Sequence, residues 1–235
     1  MTHQWVLAGI AAAAARFVPV PFVDDMIRTR STQFAVARTL AAHDYDYSSK
    51  DLAPLFDGDS GGFLSGMLRK VVRAPFKLLF YPVRKLIRIF GSVRGVPLDL
   101  MRTILTARTL DRCIRRGMFD PAKTDAQTRT EQAQKVRLAF EEAFEGIDWI
   151  TVRAVMSDTM IQVKHWGGVT TDLARQAFGR DDQDPDRLTA DDLADNDDVK
   201  QGAAKVEAML AKPETLQLIG DFDQRVDAAL GASST

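Results

Sequence analysis

The chain has 235 residues, 46% of them hydrophobic and 27% charged, which excludes wholesale disorder and supplies enough apolar side chains to bury a core in one or two domains. A formal net charge of −1 excludes a molecule that binds polyanions over its whole surface. The histidines, His3, His43 and His165, and the single cysteine, Cys113, show no zinc-ligand spacing, and one thiol forms no internal disulfide, as in a reducing compartment.

Residues 5–17 read as an alanine-rich helix with Gly9 its one weak point. The apolar run inside it lacks the preceding Lys or Arg of a secretory signal, so cleavage is not expected. Residues 5–23 come closest to a membrane span, but Arg16, Pro19 and Pro21 interrupt them. Those prolines impose an extended turn, and Asp24 or Asp25 is expected to cap a second helix ending near His43. Residues 1–43 therefore form a helical hairpin. Three placements are open for it: it dips into one lipid leaflet, with Trp5 at the interface, it packs under the basic helix, or it is an ordinary buried hairpin.

Residues 44–62 are polar and glycine-rich and read as a loop or hinge. They lack the Gly-Lys-Ser/Thr of a phosphate loop and the closing glutamate of a calcium loop. In the next unit, residues 63–119, a basic amphipathic segment precedes a helix that Pro97 opens and that ends near Arg116, with Gly117 at its C-terminus. Residues 120–178 are helical: Ala133, Val136, Phe140 and Phe144 share one face, and Val152, Val155, Met156, Met160 and Val163 repeat the pattern. Residues 179–198 are aspartate-rich and are expected to form a mobile, solvated linker, able to fold back on the basic segment, with Leu188 and Leu193 in a short turn. Residues 199–235 hold two last helices, divided at Pro213, and a frayed tail. No convincing strand alternation occurs. The expected fold is all-α, a multi-helix bundle with an N-terminal helical hairpin and a basic amphipathic segment.

That segment carries the functional expectation. Residues 63–96 contain no Asp or Glu and eight Lys or Arg, so the segment has a charge of +8 against −9 for the remainder of the chain. If Pro82 kinks rather than ends the helix, Phe76, Leu79, Phe80, Val83, Ile87 and Phe90 form an apolar stripe. Lys77, Arg84 and Arg88 fall on another face, with Lys85 beside them. Such a helix suits a membrane interface, where each Lys or Arg near an anionic surface adds about 1 kcal/mol. The candidate contact residues are Arg69, Lys70, Arg73, Phe76, Lys77, Leu79, Phe80, Tyr81, Val83, Arg84, Lys85, Ile87, Arg88 and Phe90. The competing reading is a core or partner-binding helix whose basic groups face water. Nucleic acid is not expected, because so much aliphatic surface does not suit it. Cys113, between Arg112 and Arg115-Arg116, has neighbours that would lower its pKa, but a plain packed cysteine is the simpler expectation.

Residues 11–45 run from the alanine-rich helix through Phe17-Val18-Pro19-Val20-Pro21-Phe22-Val23-Asp24-Asp25 to Gln33-Phe34-Ala35-Val36-Ala37-Arg38-Thr39-Leu40-Ala41. This stretch, 35 of 235 residues, resembles the hydrophobic hairpin of bacterial membrane-associated helical domains, such as those attached to some GTPases of the YcjF type, and is similar to EcsC-type proteins. His43-Asp44-Tyr45 stands where that family has tyrosine-glycine, and no GTPase motif accompanies it. The resemblance implies bacterial origin and membrane proximity, and it carries no catalytic residues.

The sequence thus points to a peripheral membrane scaffold or regulator on the cytoplasmic, inner face of the membrane. Its expected partners are an anionic membrane surface and, through its later helices, a possible protein partner. No catalytic, metal or cofactor-binding residue is assigned. The alternative is a soluble helical adaptor whose basic segment binds an acidic protein or the chain's own aspartate-rich run. An enzyme whose site is assembled from distant residues is a third reading.

Overall fold

A helix that is apolar all round has no solvent face and belongs at the centre of a bundle. The first helix, α1 (Thr2–Ala14), is of this kind, and every residue from Trp5 to Ala15 is buried. The computed structural model describes residues 2–15, 23–57, 96–150, 152, 184–194 and 197–232. Among these residues there are helices and turns and no strand, as the all-α expectation requires. No helix among them is long and apolar enough to cross a membrane.

The bundle continues with α2 (Val23–Ala42), a 3-10 turn (Ser49–Leu55), α3 (Val96–Arg115), α4 (Ala126–Glu145), a short 3-10 turn (Pro185–Arg187), the one-turn α5 (Ala190–Leu193), α6 (Asp197–Leu210) and α7 (Pro213–Ala232). Helix α1 packs most extensively against α3 and α2, and also touches α5 and α6. Of the placements open for the hairpin, the described residues show it buried in the protein core, and the basic segment lies outside them. Trp5 is 6% exposed, and its indole Nε1 donates to Thr39 Oγ1 on α2 at 2.9 Å, so it does not stand at a lipid interface. Gly9, weak by helix propensity, marks the crossing point of α1 and α3. A Cβ built there lies 3.0 Å from the Leu100 carbonyl oxygen and 3.2 Å from Ile104 Cγ1. Only glycine allows the two backbones to approach so closely.

Helix ends follow local chemistry. Asp24 and Asp25 lie inside the first turn of α2 rather than capping it. There they oppose the positive end of the helix dipole and hold Arg28, at 2.7 and 2.9 Å. At the other end Asp44 adopts a left-handed conformation, φ 57°, and α2 closes with Tyr45 N donating to Leu40 O and Asp44 N to Ala41 O. Helix α3 closes in the same way: Gly117 has φ 82°, Met118 N donates to Cys113 O, and Gly117 N donates to Ile114 O. Helix α4 starts at the N-cap Asp125, whose carboxylate accepts from Thr128 N at 2.7 Å.

Two cores result. In the larger one α1 packs against α2, α3, α5 and α6, and α4 and α7 complete the cluster, with Phe140 stacked on Phe144 and set edge-on to Phe222. The smaller core joins the end of α2, the 3-10 turn, the end of α3 and the start of α4 around Leu52, Phe56, Leu110, Phe119 and Val136. Residues 49–55 are thus a packed element inside what the composition suggests is a loop. Residues 184–194 likewise depart from the expected solvated linker. Pro185, Leu188, Leu193 and Ala194 are buried, and α5 has a full capping box between Thr189 and Asp192. Asp191 is exposed and Asp184 and Asp192 cap, whereas Asp186 is held by Ser48 and Ser49, and the apolar residues between the aspartates dock.

Candidate functional site

All fourteen candidate contact residues, from Arg69 to Phe90, lie outside the described residues. The same holds for most of the expected helix over 150–178, of which only Ile150 and Val152 are described. Groups with chemical capacity among the described residues converge instead at one end of the bundle, where α2 and α3 end, the 3-10 turn folds over, and α4 begins.

His43 and Asp111 meet there across 68 residues of sequence. His43 Nε2 lies 2.8 Å from Asp111 Oδ1, and Arg115 Nε, one turn along α3, lies 3.1 Å from Asp111 Oδ2. Asp111 is buried, so its carboxylate requires both partners. When neutral, the imidazole donates through Nε2 and leaves Nδ1 as an acceptor. Tyr45 packs 6.4 Å from the His43 ring and 5.7 Å from Tyr47. Arg129 lies 4.1 Å above the Tyr47 ring and donates to Asp51 Oδ2 from Nε and Nη2 at 2.9 and 2.7 Å. Burial raises the Tyr47 phenol well above its ordinary range, against the smaller opposing effect of Arg129. The Tyr47 hydroxyl therefore remains a donor, and it bonds Phe119 O at 3.1 Å.

Phe119 is the strained residue of the site. Its φ of 64° is rare for a side chain of this size. Three features over-determine it: the ring is fully buried, its carbonyl accepts from Tyr47, and its N–H donates to Gln132 Oε1 at 3.1 Å.

The histidine–aspartate pair can hold and relay a proton. Among the described residues Asp111 is the one hydrogen-bond partner of the His43 imidazole, and no hydroxyl or thiol nucleophile is aligned with it. Cys113 shares the end of α3 with Asp111 but is buried, and burial pushes its thiol up to about 12 against the lowering effect of Arg116 and Arg112. The flanking arginines do not activate it, and it is the packed cysteine that the simpler expectation describes. No group of three His, Cys, Asp or Glu side chains among the described residues is placed to hold a metal.

A second polar array lies along α3. Arg108, Arg112 and Arg116, one turn apart, face Asp223 and Asp227 of α7. Arg108 forks onto the buried Asp223 carboxylate, with Nη2 at 2.8 Å. Arg112 and Arg116 converge on Asp227 at 2.7 and 2.5 Å. Burial pushes the Asp227 carboxyl up, but the hydrogen bond from Arg116 and the two guanidinium charges outweigh it and hold the group below the ordinary carboxylate range.

None of these pairings is visible in local sequence. His43 and Asp111 carry no motif at their spacing, and the Arg108–Arg112–Arg116 repeat is legible only as one charged helix face. No protein-family model, curated protein or solved structure matches this chain.

Proposed function

We propose that this protein acts at an anionic membrane surface, as a non-catalytic helical scaffold or regulator on the inner, cytoplasmic face of a bacterial membrane. Residues 63–96 are its lipid contact. The observation that carries this reading is charge segregation: 34 consecutive residues hold eight Lys or Arg and no acid, while the rest of the chain has a charge of −9. An anionic surface attracts such a segment and repels the remainder, which orients the molecule. Interleaved Phe76, Phe80, Val83 and Ile87 supply the apolar area for insertion. Burial of α1 supports assigning lipid contact to this segment, because the hairpin's most apolar helix is already consumed by the core.

Co-sedimentation with vesicles tests the reading. Replacing Arg84, Lys85 and Arg88 by glutamate is expected to abolish binding to anionic vesicles while the helical spectrum is unchanged, a loss of several, on the order of 3–6, kcal/mol. Phe80→Asp is expected to weaken binding even to neutral vesicles, because it removes insertion rather than attraction. Retained anionic-vesicle binding by the charge-reversed protein would refute lipid electrostatics as the role of this segment. Unfolding by Phe80→Asp would place the stripe in a core and favour the adaptor that binds an acidic protein.

A further inference from the structure

Residues 184–194 lie across α1 and α2 in the manner of a bound peptide. One end is fixed by a single carboxylate. Asp186 Oδ2 accepts from Ser48 Oγ and Ser49 N, each at 3.0 Å, while Oδ1 accepts from Gln33 Nε2 at 3.2 Å and from Ser49 Oγ. Arg38 Nη2 donates to the Asp186 backbone carbonyl at 2.5 Å. The donors to the carboxylate, from Gln33, Ser48 and Ser49, are uncharged, so this is a cradle of N–H and O–H groups shaped for a carboxylate rather than an ion pair. Leu188 and Leu193, five positions apart, are buried against the helices as apolar anchors.

The fit of this segment is incomplete. A cleft of about 10 Å³, room for a single water, remains between its Pro185, Leu188 and Leu193 and the Ala8, Ala11 and Phe34 side chains beneath. Ser31, which also lines the cleft, is 3% exposed and its Oγ has no hydrogen-bond partner among the described residues; Arg38 Nε, further along the same face of α2, is likewise buried without one there. A native core rarely leaves such atoms unpaired. Here two of them, with the void, lie on the α2 face that this segment covers. The segment's own structure, helical turns of three and four residues, is too short to persist without that docking.

We propose that the groove formed by α1, α2 and the Ser48–Ser49 turn is a docking site for an acidic segment of a partner protein that presents one aspartate followed by two leucine-type anchors. Residues 184–194 are its intramolecular occupant. A partner that brings an acceptor to Ser31 Oγ gains the hydrogen bond that the internal occupant forgoes. Recognition through neutral donors also separates this site from residues 63–96, whose electrostatic contacts weaken with salt.

The test uses the full chain carrying Asp186→Ala, which loosens the internal occupant, and a fluorescent peptide with the sequence of residues 184–194. The variant is expected to bind the peptide saturably and at least about tenfold tighter than the unsubstituted protein, where the tethered segment competes at an effective concentration of about 1 mM. Binding is expected to survive about 1 M salt and to be lost when Gln33→Leu and Ser49→Ala are added. No saturable binding by a folded variant, equal binding of a peptide lacking its aspartate, or loss of binding in salt would each overturn the proposal. Hydrogen exchange on the unsubstituted protein decides the matter if Asp186→Ala unfolds. Exchange of the Arg187 and Ala194 amides at least about a hundredfold faster than those of α3 supports a detachable occupant. Exchange at the α3 rate shows an integral part of the core and overturns it.

Discussion

Three helical glycines provide an internal comparison of propensity against packing. Replacing a glycine in a helix by alanine gains about 1 kcal/mol from backbone entropy alone. At Gly202 in α6 and Gly220 in α7 the added Cβ meets nothing within 4 Å, so the gain is expected in full. At Gly9 the same atom meets the Leu100 carbonyl oxygen at 3.0 Å and Ile104 Cγ1 at 3.2 Å. The first is main chain of α3 and cannot rotate away, so α1 and α3 must separate, at an overpacking cost of about 1–3 kcal/mol. The net effect of Gly9→Ala is then a loss of about 1 kcal/mol. At this chain length each kcal/mol shifts the melting temperature by about 2–4 °C. Thermal melts followed by far-UV circular dichroism are expected to show Gly202→Ala and Gly220→Ala rising by a few degrees and Gly9→Ala falling by a similar amount. Gly9→Val is expected to fall further. If Gly9→Ala rises as far as Gly220→Ala, the close approach of α1 and α3 is not a constraint on the fold.

Other tests address single residues. Asp44 occupies a left-handed position that glycine adopts without steric cost, so Asp44→Gly is expected to stabilise by about 0.5–1 kcal/mol and Asp44→Val to destabilise in urea titrations; the opposite order would contradict the α2 closure described above. Cys113 is expected to resist thiol reagents in the native protein and to react fully in denaturant, because burial holds its thiol near 12; rapid native labelling would show an accessible thiolate. Asp227 has a folded-state pKa below its unfolded value, so its contribution to stability is complete above about pH 4, the ordinary carboxylate value, and is lost as pH falls through the lower folded value. Asp227→Asn is accordingly expected to lower stability at neutral pH and to flatten the acid limb of a pH–stability profile, and an acid limb as steep as the original would remove Asp227 as its source.

Helix positions were legible where punctuation and period coincide. Pro97 and Gly117 bracket α3, Pro213 divides α6 from α7, and the Ala133–Val136–Phe140–Phe144 face of α4 is the face that is buried. Period fails at α1, because a helix apolar on every side has no direction to read, and its composition suits a lipid leaflet and a protein core equally. The docking of Asp186 on Ser49 spans 137 residues and leaves no local trace, so the aspartates around it read as solvation. Asp44 hides a left-handed turn behind a residue that is usually read as polar loop. The convergence of His43 on Asp111 is equally non-local, whereas the basic segment at 63–96 is legible because it depends on composition alone.

The central position of α1 has a consequence for synthesis. This helix ends at Ala14, yet its principal neighbour, α3, begins only at Val96 and is translated later. A helix of thirteen residues is marginal in isolation, and of its two main neighbours only α2 is available while the chain up to Val96 is translated. At about 5–20 residues per second, that interval lasts on the order of 5–20 s, during which an apolar stretch is held without its completed core. The basic, aromatic residues of 63–96 leave the ribosome within the same window. A nascent chain near a membrane therefore presents its two most lipid-compatible stretches together, before α3 arrives to withdraw one of them.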